Sequence, residues 1–288
     1  MDVSIIIVNY NTKKLLLDCI SSIYGYTSNL SFEIIVVDNA SIDQSEELIC
    51  SRFPSVRWFN SAENLGFGRA NNLGAKYANG EYLFFLNSDT LLLNNAILQL
   101  LSYMRTHNSD NVGVLGTWLL DGNREPNNSF GFFPSIKNEI AYLLGKYHRP
   151  DNSELRRERD VDFVTGADLF IAKRVFDDLG GFDSKIFMYY EETDLQYRLS
   201  ESGLIRRIIP GPEIIHLEGG SFNSKKLTVS RFIMAQTSYN YYLRKHFKGL
   251  YYYMYYVALC FIRLTIFVST DWSLKNKIKA YRTVLLRG

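Results

Sequence analysis

The sequence predicts an α/β protein, a mostly parallel sheet flanked by helices, followed by a C-terminal helical extension. Three observations lead there. Short apolar, β-branched runs alternate with helix-periodic runs over the first 120 residues, the pattern of βαβ crossovers. Four of those runs end on polar residues: Asn9-Tyr10-Asn11, Asp38-Asn39, Asn60 through Asn64, and Asn87-Ser88-Asp89. Beyond about residue 228 the strand signals cease and helical character takes over.

The elements follow in order. "VSIIIVN" (3–9) is a strand. Leu16, Cys19, Ile20 and Ile23 stand at i, i+3, i+4, i+7 and predict a helix. "FEIIVVD" (32–38) is the second strand, and Ser41 with Gln44 has the capping-box spacing that opens a helix over "IDQSEELICSRF". "VRWFN" (56–60) is a strand, and "RANNLGAKYA" a helix stopped by Asn79-Gly80. "EYLFFLN" (81–87), "NAILQLLSYM" and "VGVLGTWLL" (112–120) are strand, helix and strand. The stretch 121–160, rich in Asn, Pro and charge, reads as a solvated connector. "VDFVTGADLFIAKRVFDDLGGFD" (161–183) resumes structure, and "EETDLQYRLSESG" (191–203) is a helix ended by Gly203. "IRRIIPGPEIIHL" (205–217) reads as two strands joined by a Pro-Gly-Pro turn. The division expected is a domain over 1–228, its halves meeting near 120, and a helical extension over 229–288.

The 288 residues are 47% hydrophobic, enough for a sizeable core. Lys plus Arg number 32 against 30 Asp plus Glu, a balance that gives no whole-chain case for nucleic-acid binding. Cys19, Cys50 and Cys260 are scattered without metal-ligand spacing and point to free thiols in a reducing compartment. The opening residues read as a strand and not as a secretory leader, so the chain is expected in the cytoplasm. "YYYMYYVALCFIRLTIFV" (251–268) is long enough to span a bilayer. Arg263 lies inside it, and Arg244, Lys245, Lys248, Lys275, Lys277, Lys279, Arg282 and Arg287 surround it, opposed only by Asp271. It has two readings: a helix lying on the anionic inner face of the cytoplasmic membrane, or a helical cap over the core.

Parallel strands bring their carboxyl ends to one edge, where ligands bind in such sheets. "NLGFGRANN" (64–72) is no dinucleotide fingerprint, since Asn71 stands where the third glycine belongs. Its glycines still let backbone approach a phosphate or a base. Asp89 ends a strand as a hard oxygen ligand, and Mg²⁺ or Mn²⁺ takes only one or two protein carboxylates beside substrate phosphates. His216, ending "EIIH" before Gly219-Gly220-Ser221, is a second ligand or a hydrogen-bonding partner. In the 191–203 helix Leu195 and Leu199 mark the inner face; Glu191 and Glu192 fall near it, and Asp194 falls off it, paired in solvent with Arg198. An inward acid at a helix start has the character of a general base, and charge placement at the helix dipole is the plainer alternative.

Taken together, "VSIIIVNYNT", "VVDNASIDQS", "NLGFGRANNLG", "FLNSDT", "GADLFIAKRVFDDLGGFD", "EETDLQYR" and "HLEGGS" resemble the family 2 glycosyltransferases of GT-A (Rossmann-like) fold, especially their bacterial rhamnosyltransferase-like branch. The likeness runs in order over about the first 220 residues. It implies inverting transfer of a sugar from a nucleoside-diphosphate donor to a hydroxyl of a saccharide or lipid-linked saccharide acceptor, in bacterial surface polysaccharide assembly. By that resemblance Asn9, Tyr10 and Asn11 lie beneath the donor nucleotide, Asp38 takes the pyrimidine edge, and Asn64, Gly66 and Asn71 form the next donor-binding turn. Asn87, Ser88 and Asp89 stand for the metal-binding D-x-D signature, with Asn87 in place of its first Asp. His216 matches a histidine near the diphosphate, serving with Asp89 as metal ligand. Gly166, Ala167 and Glu191 line the acceptor side, and Glu192 matches the general base. The alternative is a catalytically inactive protein of the same fold serving as a binding or assembly subunit.

Overall fold

The computed structural model describes residues 1–107, 109–146, 151–217 and 227–286. The apolar runs become strands and the periodic runs become helices: β1 (Val3–Asn9), α1 (Lys13–Tyr26), β2 (Phe32–Asp38), α2 (Ser45–Arg52), β3 (Arg57–Asn60), α3 (Gly66–Lys76), β4 (Tyr82–Asn87), β5 (Thr90–Leu92), α4 (Ala96–Thr106) and β6 (Val112–Thr117). There follow β7 (Phe130–Gly131), α5 (Ile136–Leu143), β8 (Arg159–Val161), β9 (Phe163–Val164), β10 (Asp168–Ala172), α6 (Lys173–Asp178), α7 (Glu191–Glu201), β11 (Ile205–Ile209) and β12 (Ile214–His216). The chain ends in α8 (Val229–His246), α9 (Gly249–Arg263), α10 (Ile266–Ser269) and α11 (Leu274–Leu285).

Eight strands form the main sheet in the order β3-β2-β1-β4-β10-β6-β11-β8. The first four are parallel, β10 runs against both of its neighbours, and β6 and β11 are again parallel. Asn9 pairs with Asp38, and Val8 with Asn87, so the polar strand ends gather on one edge. Alternation along β1 builds both halves of the core. Ile5 and Ile7 pack with Leu16, Cys19, Ile20 and Leu100, while Ile6 packs with Ala70 and Ala75 on the other face. A third apolar cluster, Tyr239, Tyr242, Leu243, Tyr255 and Leu259, joins α8 to α9.

Several expectations need correction. The capping box does not form: Gln44 adopts a left-handed conformation ahead of α2, and the Ser41 hydroxyl accepts instead from Asn9 and the Asn11 N–H. The two strands expected over 205–217 do form, β11 joining the main sheet while β12 pairs antiparallel with β5. The stretch 121–160 is more than a connector. It holds α5, capped by the Ser135 hydroxyl and tied by Glu139 to Arg263 and Tyr239. Gly219, Gly220, Ser221 and Arg287 lie outside the described residues.

Candidate active site

At the carboxyl end of β1, Asn9 is buried and organises its neighbours. Its Nδ2 donates to Asp38 Oδ1 at 2.6 Å, Ser41 Oγ at 3.1 Å and Ser45 Oγ at 2.8 Å, and its Oδ1 accepts from Thr12. Asp38 Oδ2 takes the Ser41 N–H at 2.8 Å. Each carboxylate oxygen keeps a second lone pair, and Asp38 faces a cavity of about 230 Å³ with Ser41, Ile42, Ser45, Trp58 and Asn60. Asn11, at φ 54°, accepts the Ile42 N–H, and Tyr10 is 43% exposed beside it. The shape and polarity suit a flat heterocycle with N–H groups on its edge. Ser41, Ser45 and Trp58 were not among the expected site residues; in "NASIDQS" Ser41 reads as a helix cap unless the two serines are known to meet Asn9.

The next turn is set by Gly66, at φ 77°, where a Cβ would collide with the Phe187 carbonyl. Asn64 Oδ1 takes the Gly66 N–H at 2.9 Å, Phe187 O takes the Phe67 N–H at 3.1 Å, and Asn39 Oδ1 takes the Leu65 N–H at 3.3 Å. These three amides are therefore bonded within the protein. Asn71 is buried and donates to Phe67 O in its own helix, which places it behind the surface of the site.

Past β4, the Asn87 N–H donates to Ala167 O at 3.0 Å, and Ser88 Oγ accepts from Thr12 at 2.9 Å. Asp89 Oδ1 lies 3.4 Å from His216 Nε2, which is also 3.4 Å from Asn87 Nδ2. The β5–β12 pairing sets this up by placing His216 opposite Thr90. Two ligands at about 2.1 Å from an octahedral cation stand about 3 Å apart at right angles, so Asp89 and His216 fit as neighbouring ligands of one divalent ion. No group of three or more metal-ligating side chains occurs among the described residues; the rest of such a shell would come from water and phosphate oxygens.

The Gly166–Ala167 turn leads from here to α7. Ala167 is buried and serves through its carbonyl, while a Cβ on Gly166 would stand 3.7 Å from Glu192 Cβ. Glu192 is half-buried in the wall of a cavity of about 1330 Å³, with Thr165, Tyr189, Tyr190, Arg231 and Tyr239. Burial raises its pKa above the usual carboxylate range, against the backbone N–H groups of the helix start. Glu191 turns the other way, against Gly68 and α3, and does not line that cavity. Its Oε2 is buried without a hydrogen bond, and burial, then the charge of Glu192, lifts its pKa well above normal. Tyr189 and Tyr190 hold left-handed conformations, φ 68° and 69°, just before the two acids. Such strain persists where surroundings enforce it: Tyr190 stacks on Tyr239, and the Tyr189 hydroxyl takes Arg231 Nε at 3.2 Å.

Asp194 pairs with Arg198 as expected, at 2.9 Å, but is fully buried and not solvated. Lys245 Nζ and His246 Nε2 of α8 reach it at 2.7 and 2.8 Å. Burial pushes its pKa up, and the bonds from His246 and Lys245 with the charge of Arg198 outweigh that and hold it low. This acid is an anchor and lies under α8. Asp168, which drew no attention in the sequence, is fully buried on β10; one oxygen takes the Thr117 N–H at 2.6 Å and the other has no partner. Burial pushes its pKa up to about 7, against the Thr117 bonds and the field of His216.

The family model for Glycosyl transferase family 2 matches residues 4–156. Among relatives, the hexosyltransferase Agl10 of low-salt glycan biosynthesis in Haloferax volcanii is 30% identical over 68% of this chain and 61% of its own length. The N-acetylglucosaminyl-diphospho-decaprenol L-rhamnosyltransferase of Mycobacterium tuberculosis is 27% identical over 64% of this chain and 66% of its own. The chain thus spans under two thirds of these relatives. Rhamnosyltransferase WbbL of Escherichia coli is 27% identical over 67% of this chain and 77% of its own length. Of solved structures, GalNAc-T7 with UDP, GalNAc and Mn²⁺ aligns with 98% of this chain and 54% of its own at a TM-score of 0.67 and 15% identity. TarS of S. aureus aligns with 100% of this chain and 71% of its own at 0.56 and 15%. These two show the fold: the chain has the GT-A architecture, with a helical C-terminal part.

Proposed function

The chain belongs to glycosyl transferase family 2, and on that premise we propose that it moves a sugar, with inversion, from a nucleoside-diphosphate donor to a hydroxyl of a saccharide or lipid-linked saccharide, in assembly of a bacterial surface polysaccharide. The observation that carries the reading is one continuous edge. Asp38 ends β2 and Asp89 follows the end of β4, the two parallel strands on either side of β1; the Asn87–Ala167 bond ties that edge to the Gly166–Ala167 turn, where a Cβ on Gly166 would stand 3.7 Å from the Cβ of the cavity acid Glu192. The 1–228 part is the catalytic domain, with donor and acceptor halves meeting near 120. The 229–288 helices form the extension, which touches the inner face of the cytoplasmic membrane.

Asp38 accepts from the N–H edge of the donor's pyrimidine, with Tyr10 and Trp58 beside the ring. Asp89 and His216 would hold Mg²⁺ or Mn²⁺, which is consistent with the Mn²⁺ in the GalNAc-T7 structure. Such an ion, when bound, supplies positive charge against the charge that grows on the departing diphosphate. Glu192 takes the proton of the acceptor hydroxyl. The acceptor oxygen forms its bond to the anomeric carbon as the carbon–oxygen bond to the diphosphate breaks, and that electron pair leaves on the phosphate. One base and no protein nucleophile suffice. A raised pKa suits Glu192 to this task near neutral pH.

Asp89→Ala should lower donor turnover with Mn²⁺ by about 10²–10³-fold and leave the thermal transition within a few degrees of wild type. Release of nucleoside diphosphate from a panel of nucleotide sugars measures it. A variant as active as wild type contradicts the assignment.

A further inference from the structure

The segment Gly249–Ser269 has the length and apolarity to cross a bilayer; an 18-residue stretch of it has a mean hydropathy of 1.4, yet only 17% of that stretch is buried in the fold. One of its faces is committed. Tyr255 and Leu259 are buried against α8, Arg263 is bound to Glu139 and Gln236, and the Tyr256 hydroxyl donates to Leu285 O. A helix docked along its length on a folded domain cannot thread the membrane. Its other face is open: Leu250, Met254, Val257, Phe261, Leu264 and Val268 are 44 to 86% exposed. They recur at alternating spacings of four and three residues, which is one stripe of a helix.

The stripe is continued by α5. Ile136, at its start, packs into the α8–α9 cluster and Glu139 binds Arg263, while Ile140, Leu143 and Leu144 further along are 44, 47 and 61% exposed. On its inner side α5 gives Asn138 and Ala141 to the cavity that Glu192 lines, and Ile266 and Ser269 belong to the same wall. Beside the stripe, α11 exposes Lys275, Lys279 and Arg282 next to Leu274 and Ile278. From 248 to 286 the one acid is Asp271. An apolar stripe with cations along its side matches the boundary between acyl chains and anionic headgroups.

We propose that α5 and α9 together form a bilayer-docking surface, with α9 lying in the plane of the membrane and the mouth of the Glu192 cavity held at the headgroups. The proposal rests on the membrane contact read above for the C-terminal helices and adds to it α5 and the placing of the cavity mouth; it does not depend on the transfer reaction. The occupant is an anionic lipid surface. A second copy of the chain would meet the α11 cations with like charge.

Flotation of the full chain with phosphatidylcholine vesicles, with and without phosphatidylglycerol, tests it. Wild type floats with the anionic vesicles. Val257→Asp/Phe261→Asp on α9 and Ile140→Asp/Leu143→Asp on α5 each lower partitioning by about 10-fold or more, with thermal transitions near wild type. Lys275→Gln/Lys279→Gln weakens binding about 10-fold, and to anionic vesicles alone. Nucleotide-sugar binding, followed in parallel, stays unchanged in all three, so a failed transferase reading leaves the flotation result standing. Wild type remaining unbound, or a stripe buried in a solution dimer, overturns the proposal. An α5 variant that floats like wild type overturns the composite surface.

Discussion

At the scale of single residues, burial sets the carboxylates apart: Asp168 and Asp194 are fully enclosed, and Glu192 is half-buried in the wall of a cavity. Asp38 ends β2 and Asp89 stands just past the end of β4, and both were visible in the sequence because an acid there closes a buried apolar run. Asp168 was invisible, since nothing in "GADLF" marks its third residue as fully enclosed. Its folded pKa of about 7 lies above the unfolded value of 3.8, so its ionisation favours the unfolded chain. The contribution of Asp168 to stability is fully present below pH 3.8 and is lost as pH rises through about 7, by on the order of 4 kcal/mol. Glu191 and Glu192, whose pKa values are raised as well, add to the same slope. Asp168→Asn keeps an oxygen for the Thr117 N–H and should remove much of that loss. Thermal transitions recorded from about pH 4 to pH 8 check this, and an unchanged slope would mean that Asp168 is not the group responsible.

Among the elements, α7 carries most of the argument. Its inner face was legible from Leu195 and Leu199, and so was the Asp194–Arg198 pair, which is local. The burial of Asp194 was not, because Lys245 and His246 lie some fifty residues on and no periodicity relates them. The same limit hid the meeting of Asp89 with His216, which depends on β5 pairing with β12, and the role of α5, whose polar flanks mask a helix with an outward apolar side. Asp194 also ties α8 to the helix that presents Glu192. Removing one partner of a buried ion cluster costs about 3–5 kcal/mol. Asp194→Asn should therefore lower Tm by roughly 6–20 °C, with donor binding kept at low temperature. A variant as stable as wild type would mean that the clasp adds nothing beyond the apolar packing of α8.

For the molecule as a whole, the order of strands and helices was readable because each element is a local pattern, and the parallel half of the sheet follows from that order. The reversed β10, the join between β6 and β11, and the large cavity under α8 to α10 were not readable, since they depend on how distant pieces close on one another. That closure leaves a cavity of about 230 Å³ lined by Asp38 and another of about 1330 Å³ lined by Glu192.

The central claim is that Glu192, and neither acid beside it, takes the acceptor proton. Sugar transfer at saturating donor, measured for Glu192→Gln, Glu191→Gln and Asp194→Asn at a temperature where all three are folded, tests it most directly. The account predicts a loss of about 10²–10⁴-fold in kcat for Glu192→Gln with donor affinity retained, and far smaller losses for the other two. Full transfer by Glu192→Gln, or silence in Glu191→Gln alone, would contradict it.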